Sequence, residues 1–290
     1  MIIDRLYETV SEKGVVCVGL DTSMDYIPKS FLKNFTTISD TIFEFNKRIV
    51  DSTYDIAACF KMQIAYYEAL GIEGLIAYKK TMQYIREKGC LVIADIKRGD
   101  IAKTAGMYAK AHFEGDFECD FITLSPYMGM DSIKPYLSYV REKEKGLFIL
   151  IRTSNEGAHD IQYIKDSNNN SVYNIVGDKI KKLGREYVGK YGYSSIGGVI
   201  GCTHFDEARS IRESLSNMFF LIPGYGAQGG TAEDVARYLK QGNGGIVNSS
   251  RGILLAYQKH NNHEKFDIYA REEVLSMREA IDNAVKAYEG

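Results

Sequence analysis

The segment Asp95-Ile96-Lys97-Arg98-Gly99-Asp100 holds two acids around a lysine, a combination that can move protons. Asp95 and Lys97 are two residues apart, so on an extended chain their side chains point the same way. Asp100 comes one turn later, at the start of a predicted helix whose dipole favours a carboxylate. Because carboxylates within about 4–6 Å keep an ammonium charged, Lys97 is expected to be a poor nucleophile and a ready proton donor. The motif is short, and a solvated ion cluster at a helix start would explain it equally well.

A glycine-rich segment and a separate arginine predict an anion site. The segment Pro223–Gly230 contains four glycines and opens onto a predicted helix at Thr231. Backbone N–H groups that glycine leaves accessible, together with a helix N-terminus, can bind phosphate. Arg251 follows another apolar run, and its guanidinium can bind the same anion. A merely flexible turn is the less favoured alternative, since two separate pieces coincide.

Short apolar runs alternate with amphipathic segments along the whole chain. The short runs are rich in Val, Ile, Leu or Phe without polar alternation, which is typical of strands buried on both faces. These predicted strands are Val15–Asp21, Ala57–Met62, Leu91–Lys97, Phe121–Pro126, Gly146–Thr153, Ile196–Cys202, Met218–Gly224 and Gly244–Ser250. The predicted helices are Ile42–Val50, Gly74–Lys88, Ile101–Phe113, Ser132–Glu144, Val172–Tyr187, Asp206–Ser214, Thr231–Lys240 and Glu272–Tyr288.

Eight strand–helix units within about 235 residues predict an α/β fold, a (β/α)8 TIM barrel, which typically has about 250 residues. A doubly wound open sheet is the second choice, because it usually has fewer strands. We expect one domain over residues 1–290, with residues 1–14 as a short helix that closes the bottom of the barrel. Residues 154–171 and 258–267 are expected to be polar loops. The predicted helix N-caps are Asp40, Asp131, Asp206 and Thr231.

Composition excludes several classes of protein. The formal net charge is −2, so no basic field attracts nucleic acid. No apolar run approaches the roughly 20 residues of a membrane span, and the first residues do not resemble a signal peptide. The five cysteines form no C-x-x-C pair, which favours buried free thiols in a reducing cytoplasm. The five histidines lack metal-ligand spacing. His204 follows the sixth predicted strand, near the barrel mouth, and His159 after the fifth could line the rim without doing chemistry.

In a barrel of this kind the active site lies where the carboxyl ends of the strands meet. The residues predicted at those ends carry motifs that resemble the orotidine 5′-phosphate decarboxylase family, and its longer bacterial subgroup in particular. The motifs run in order from the first strand to the eighth. They are Gly19–Asp21, Phe60–Gln63, Ala94–Ile101 with Thr104, Leu124–Gly129, Pro223–Gly230 and Ser250–Ile253.

The resemblance implies removal of CO2 from orotidine 5′-monophosphate to give UMP in pyrimidine biosynthesis, without a metal or an organic cofactor. It implies that Lys97 stabilises the carbanion at C6 and protonates it. Asp95 would face the substrate carboxylate and, with Asp100, hold Lys97 charged. Lys61 would complete an alternating array and touch the ribose, whose hydroxyl Asp21 would bind.

The remaining implied contacts concern the base, the phosphate and a second subunit. Ser125 would contact the pyrimidine, and the loop Pro223–Gly230 would close over the ligand. The phosphate would be bound by Gln228, Arg251 and the backbone around Gly229 and Gly230, with Ser250 at a position where the family often has glycine. The resemblance also implies a homodimer with shared active sites, in which Asp100, Ile101 and Thr104 reach into the partner's site.

Two alternatives remain. A Mg²⁺-dependent decarboxylase or aldolase acting on phosphosugars has the same barrel, but it needs an acid near the second strand, where this chain has Lys61. A non-catalytic binder of nucleotide phosphates is the other alternative. A decayed site of that kind should have lost some of the charged residues, whereas Lys61, Asp95, Lys97 and Asp100 are all present.

Overall fold

A computed structural model of the chain describes residues 1–202 and 207–290. Eight parallel strands form a closed barrel in chain order, and the eighth pairs with the first. They are β1 (Val16–Gly19), β2 (Cys59–Gln63), β3 (Val92–Arg98), β4 (Phe121–Leu124), β5 (Gly146–Arg152), β6 (Ser194–Ile200), β7 (Met218–Ile222) and β8 (Gly245–Ser249). The predicted (β/α)8 barrel is therefore confirmed, with each strand within three residues of its predicted ends.

The strands are buried almost throughout, which explains their uninterrupted apolar sequences. All residues of β1, β4, β6 and β7 are buried. Large side chains such as Phe60, Phe121, Phe148 and Phe220 are fully buried, and the Phe121 and Phe148 rings lie 5.3 Å apart. Strands of this kind, which face the barrel interior on one side and helices on the other, need apolar residues on both faces.

Twelve helices are present in the described residues. They are α1 (Ile2–Lys13), α2 (Lys29–Leu32), α3 (Ile38–Thr53), α4 (Ile64–Glu68), α5 (Gly71–Glu87), α6 (Ala102–Phe113), α7 (Leu137–Glu142), α8 (Val172–Leu183), α9 (Ala208–Ser214), α10 (Ala232–Ala236), α11 (Arg251–Leu254) and α12 (Phe266–Glu289). None of these helices is both long and apolar enough to cross a membrane.

The N-cap predictions have mixed outcomes. Thr231 caps α10 and forms a capping box with Asp234, as predicted. Asp40 is not a cap, because α3 begins earlier, at Ile38, where the Thr37 hydroxyl accepts the N–H of Asp40 at 3.1 Å. Asp206 lies outside the described residues.

Asp131 is also not a cap, because the helix predicted over Ser132–Glu144 is interrupted. Its first part forms two 3-10 turns, Met130–Ser132 and Lys134–Tyr136, and only α7 is α-helical. Pro135 lacks an N–H and disfavours helical backbone in the residue before it, which explains the break.

α1 lies at the amino ends of the strands. Ile2 packs against Gly146, the first residue of β5. The carboxyl ends open on the other side, and the loops that follow them hold the candidate site. The predicted polar loops contain short 3-10 turns, among them Glu156–Asp160 and His263–Lys265. All five cysteines are free, and four are buried.

Candidate active site

Four charged side chains from β2, β3 and the end of β1 form an alternating row at the carboxyl side of the barrel. The Lys61 ammonium lies between two acids, with Nζ 3.1 Å from Asp21 Oδ1 and 3.0 Å from Asp95 Oδ2. The other oxygen of Asp95 accepts a hydrogen bond from Lys97 Nζ at 2.6 Å. Asp21, Lys61, Asp95 and Lys97, which the sequence placed on three strands, are thus brought together.

Burial and the neighbouring charges have opposite effects on the pKa values of the residues in this row. Burial alone would lower the pKa of Lys61, but the carboxylates of Asp21 and Asp95 outweigh it and raise that pKa well above its ordinary value. Burial would likewise raise the pKa of Asp95, and the two lysines instead hold it well below its usual range. Lys61 is therefore a fixed cation and Asp95 a fixed anion at neutral pH. An ammonium between the two acids also repels a divalent cation from that place.

The geometry of Lys97 differs from the extended strand that its spacing suggested. β3 pairs with β4 at Ala94 and next at Arg98, so the strand bulges between them. Lys97 lies in the bulge with φ of 43°, in the left-handed region that side chains with a Cβ rarely adopt. Its amine nevertheless reaches Asp95 and stays partly accessible, with 43% of the side chain exposed. The expectation of a straight strand was wrong, and the predicted contact is present.

The bulge in β3 is held by Thr123 of the neighbouring strand β4, a residue that the sequence did not single out. The Thr123 hydroxyl of β4 accepts the N–H groups of Ile96 and Lys97 at 2.9 Å each and donates to Asp95 Oδ1 at 2.8 Å. In the sequence Thr123 is one residue within an apolar strand, and only its position beside the acid-lysine motif could have drawn attention to it.

Asp21 accepts hydrogen bonds from residues at the carboxyl ends of β8 and β2. Its Oδ2 accepts the Ser250 hydroxyl at 2.8 Å, and its Oδ1 accepts the N–H of Gln63 at 3.2 Å. A Cβ at Gly19 would lie 1.8 Å from Ser250 Oγ, so only glycine fits there. Ser250, which stands where the family often has glycine, thus uses its side chain to bind Asp21.

A cavity of about 210 Å³ lies beside Asp21, between the ends of β1, β7 and β8. Pro223, Gln228, Ser250 and Arg251 line it, together with aromatic residues such as Tyr26 and Tyr66. Its polar walls, its arginine and its size suit the phosphate and ribose of a nucleotide. The predicted anion site therefore coincides with a real cavity next to the charged row.

The loop Pro223–Gly230 is folded on itself. The N–H of Gly229 donates to Gly226 O at 2.9 Å and that of Gly230 to Gly224 O at 3.0 Å. Arg251 Nη2 donates to Ala227 O at 3.3 Å. In this conformation the two predicted amides are used within the loop, so phosphate binding through them requires the loop to rearrange.

Ser154 is another residue that the sequence did not single out. It follows β5, and its hydroxyl donates to Gln228 Oε1 at 2.6 Å, which links that strand end to the glycine-rich loop. Ser125, predicted to contact the base, follows β4, and its N–H donates to Arg98 O at 2.8 Å. Ser154 is thus in direct contact with the predicted phosphate loop.

Three predicted residues lie apart from the row within this chain. The Asp100 carboxylate accepts the N–H of Ile101 at 2.8 Å, and among the described residues it forms no ion pair with Lys97. Ile101 precedes α6 and is 48% exposed, and Thr104 is also exposed. Asp100 therefore does not hold Lys97 in an isolated subunit. His204, expected near the mouth, lies outside the described residues.

Comparisons with known proteins agree with these features. Residues 14–266 match the family model described as "Orotidine 5′-phosphate decarboxylase / HUMPS family". An orotidine 5′-phosphate decarboxylase of Clostridium perfringens is 64% identical over 285 residues, which cover 98% of this chain and 99% of that protein. One of Clostridium tetani is 62% identical over 287 residues, 99% of this chain and 100% of that protein. The crystal structure of a putative decarboxylase from Toxoplasma gondii superimposes with a TM-score of 0.80 at 27% identity, covering 98% of this chain and 97% of that one.

Proposed function

This chain belongs to the orotidine 5′-phosphate decarboxylase / HUMPS family, and we propose that Lys97, held by Asp95, carries out the chemistry of its reaction. That reaction is the decarboxylation of orotidine 5′-monophosphate in pyrimidine biosynthesis, which makes the chain a carboxy-lyase. The observation that carries the residue assignment is the 2.6 Å contact between Lys97 Nζ and Asp95 Oδ1 at the mouth of the barrel.

The proposed step needs no electron acceptor. The bond between C6 and the carboxylate breaks, CO2 leaves, and the electron pair remains on C6. The Lys97 ammonium stabilises this negative charge and then transfers a proton from Nζ to C6, which gives UMP. The amine regains a proton from solvent, to which the side chain is partly exposed.

Asp95 supports this step by fixing charge before the reaction starts. It stays ionised between Lys61 and Lys97, so the lysine amine is oriented in the ground state and needs little reorganisation as charge develops. In the proposed substrate position Asp95 faces the carboxylate that leaves as CO2.

The nucleotide is proposed to lie across the cavity beside this row. Asp21 and Lys61 bind the ribose, and Gln228, Arg251 and the backbone of Gly229 and Gly230 bind the phosphate after the loop rearranges. Pro223 and Ser250 line the same cavity. Ser125 is proposed to contact the pyrimidine.

The assembly is proposed to be a cytoplasmic homodimer of single-domain chains with shared active sites. The support is the exposure of apolar side chains on α5, on α6, which follows Asp100 and Ile101 and holds Thr104, and in the segment after β4. Ile72 is 74% exposed, Met107 59% and Tyr127 82%. In the dimer, Asp100 of one subunit would complete the charged row around Lys97 of the other.

The test is an absorbance assay with orotidine 5′-monophosphate in the presence of EDTA. Decarboxylation at an unchanged rate is expected, because the Lys61 ammonium lies between Asp21 and Asp95 and repels a divalent cation from that place. Loss of activity that Mg²⁺ restores would favour the metal-dependent phosphosugar enzyme. Binding of UMP without any turnover would favour the non-catalytic nucleotide binder.

A further inference from the structure

We propose that Thr123 is a positioning residue, whose hydroxyl builds the bulge that presents Lys97. This inference rests on the proposed role of Lys97 and extends it to a residue on the neighbouring strand. Thr123 lies on β4 and is 1% exposed, so it acts on the reaction through Asp95 and the β3 backbone.

The strand register leaves Thr123 opposite three residues. Ala94 pairs with Ile122 and Arg98 pairs with Leu124, so Asp95, Ile96 and Lys97 all stand across from Thr123. Two of these residues are extra relative to β4, and their backbone N–H groups cannot all find carbonyl partners in a regular ladder. A bulge of this kind persists only if another group satisfies them.

The Thr123 hydroxyl is the hydrogen-bond partner of these extra N–H groups. It accepts the N–H groups of Ile96 and Lys97, both at 2.9 Å, and donates its own proton to Asp95 Oδ1 at 2.8 Å. A hydroxyl can accept two hydrogen bonds and donate one. One oxygen atom therefore fixes the bulged backbone and the carboxylate that binds Lys97.

The bulge and the Asp95 carboxylate together determine where the Lys97 amine lies. Lys97 has a φ of 43°, which a residue with a Cβ adopts only when its surroundings impose it. Its Nζ and the Thr123 hydroxyl share the same oxygen of Asp95. Without the hydroxyl, the Lys97 backbone N–H loses its acceptor and Asp95 Oδ1 loses one of the hydrogen bonds that orient it, so the amine moves away from the place where C6 becomes negative.

The experiment compares Thr123→Val with Thr123→Ser in the full chain. Valine keeps the shape and removes the hydroxyl, and kcat is expected to fall about 10- to 100-fold, the scale of a small misplacement of a catalytic group. Serine keeps the hydroxyl and should retain kcat within about threefold. The dissociation constant for UMP should stay within about twofold in both, because Thr123 is buried below the substrate.

Thr53→Val is the matched control. Thr53 is also fully buried, and within residues 1–202 and 207–290 its hydroxyl donates to Ile49 O of its own helix, at 2.7 Å, and to no residue of another strand or helix. It should lose stability without losing kcat. If Thr123→Val does not fold, Thr123→Cys takes its place, since a thiol of similar size is a weak donor and acceptor, and it should lose kcat where serine does not.

Two results would overturn the inference: wild-type kcat in the folded valine or cysteine variant, or an equal loss in the serine variant. Either would leave the proposed function intact as long as the wild-type chain decarboxylates orotidine 5′-monophosphate. An inactive wild-type chain would instead contradict the proposed function itself.

Discussion

At the scale of single residues, the proposed mechanism takes both the positive charge and the proton from Lys97. Lys97→Ala is therefore expected to lower kcat by at least about 10⁴-fold, since positioned proton transfer typically contributes about 10²–10⁴-fold and stabilisation of developing charge about 10²–10³-fold. UMP should still bind, because the proposed phosphate contacts lie elsewhere. Absorbance kinetics and calorimetric titration with UMP measure the two effects. Full turnover by this variant would contradict the role of Lys97.

Lys61 has a different role, because it neutralises two acids. In Lys61→Met, Asp21 and Asp95 lose the ammonium between them, and removing one partner of a buried pair destabilises a protein by about 3–5 kcal/mol. Urea unfolding at pH 7 measures this. The exposed pair of Lys80 and Asp40, 2.8 Å apart, is the control, and Lys80→Met should cost less than about 1 kcal/mol.

The pH dependence of the Lys61→Met effect has a definite sign. In the wild type the lysines lower the pKa of Asp95, so its contribution to stability is present above the pKa of the unfolded chain and is lost as pH falls through the folded value. In Lys61→Met the Lys61 ammonium no longer lowers the pKa of Asp95, so the variant lacks part of this contribution to stability. The difference in free energy of unfolding between wild type and variant should therefore shrink as pH falls from 7 toward 3. A constant difference would mean that Asp95 does not sense Lys61.

At the scale of elements, the positions of the strands could be predicted from the sequence, whereas the backbone geometry at their carboxyl ends could be predicted only in part. Eight apolar runs give eight buried strands, because β-sheet interiors select for uninterrupted Val, Ile, Leu and Phe. The alternating row at the mouth followed from the same pattern, since parallel strands bring their carboxyl ends together. Regular periodicity cannot show a bulge, so the left-handed Lys97 and its partner Thr123 were not foreseen.

The loop after β5 shows a second limit. Residues 154–171 look like a polar excursion in the sequence, yet Tyr163 within it donates to Glu207 and accepts from Arg152, both within about 3 Å. Arg152 is fully buried and also donates to Gly201 O at 3.2 Å. Partners this far apart along the chain cannot be read from local composition. The same holds for the contact between Ser154 and Gln228.

The loop after β7 and the helix after β8 are in contact, since Arg251 Nη2 donates to Ala227 O, and a substitution of Arg251 tests the proposal that both bind the phosphate. Arg251→Ala should weaken binding of UMP by about 2–3 kcal/mol, the scale of a charge-assisted contact. Binding of uridine, which lacks the phosphate, should be unchanged. Calorimetric titration with both ligands gives the comparison. An equal loss for uridine, or none for UMP, would contradict the assigned phosphate site.

At the scale of the whole molecule, the isolated barrel gives Lys97 a contact with Asp95 and, among the described residues, no ion pair with Asp100. The apolar side chains of Ile72, Met107 and Tyr127 are exposed on the same subunit. A second copy of the chain that covers these residues would bury apolar surface and bring a second carboxylate to each Lys97. Stability and activity would then both depend on the dimer.

Mixing two inactive variants tests this arrangement. Lys97→Ala damages the site of its own subunit, whereas Asp100→Ala is expected to damage the site of the partner. In a hybrid dimer one site carries both changes and the other carries none, so random exchange should restore about a quarter of the wild-type activity. Subunit exchange is followed by mass spectrometry and activity by absorbance.

The matched control mixes Lys97→Ala with Lys61→Ala. Both residues belong to the same subunit's row, where Asp95 bridges them, so every site in every hybrid contains one defect and no activity should return. Recovery in the first mixture alone would assign Asp100 to the partner's site. Exchange of subunits without recovery would mean that Asp100 acts within its own chain, through a movement of the turn that begins α6.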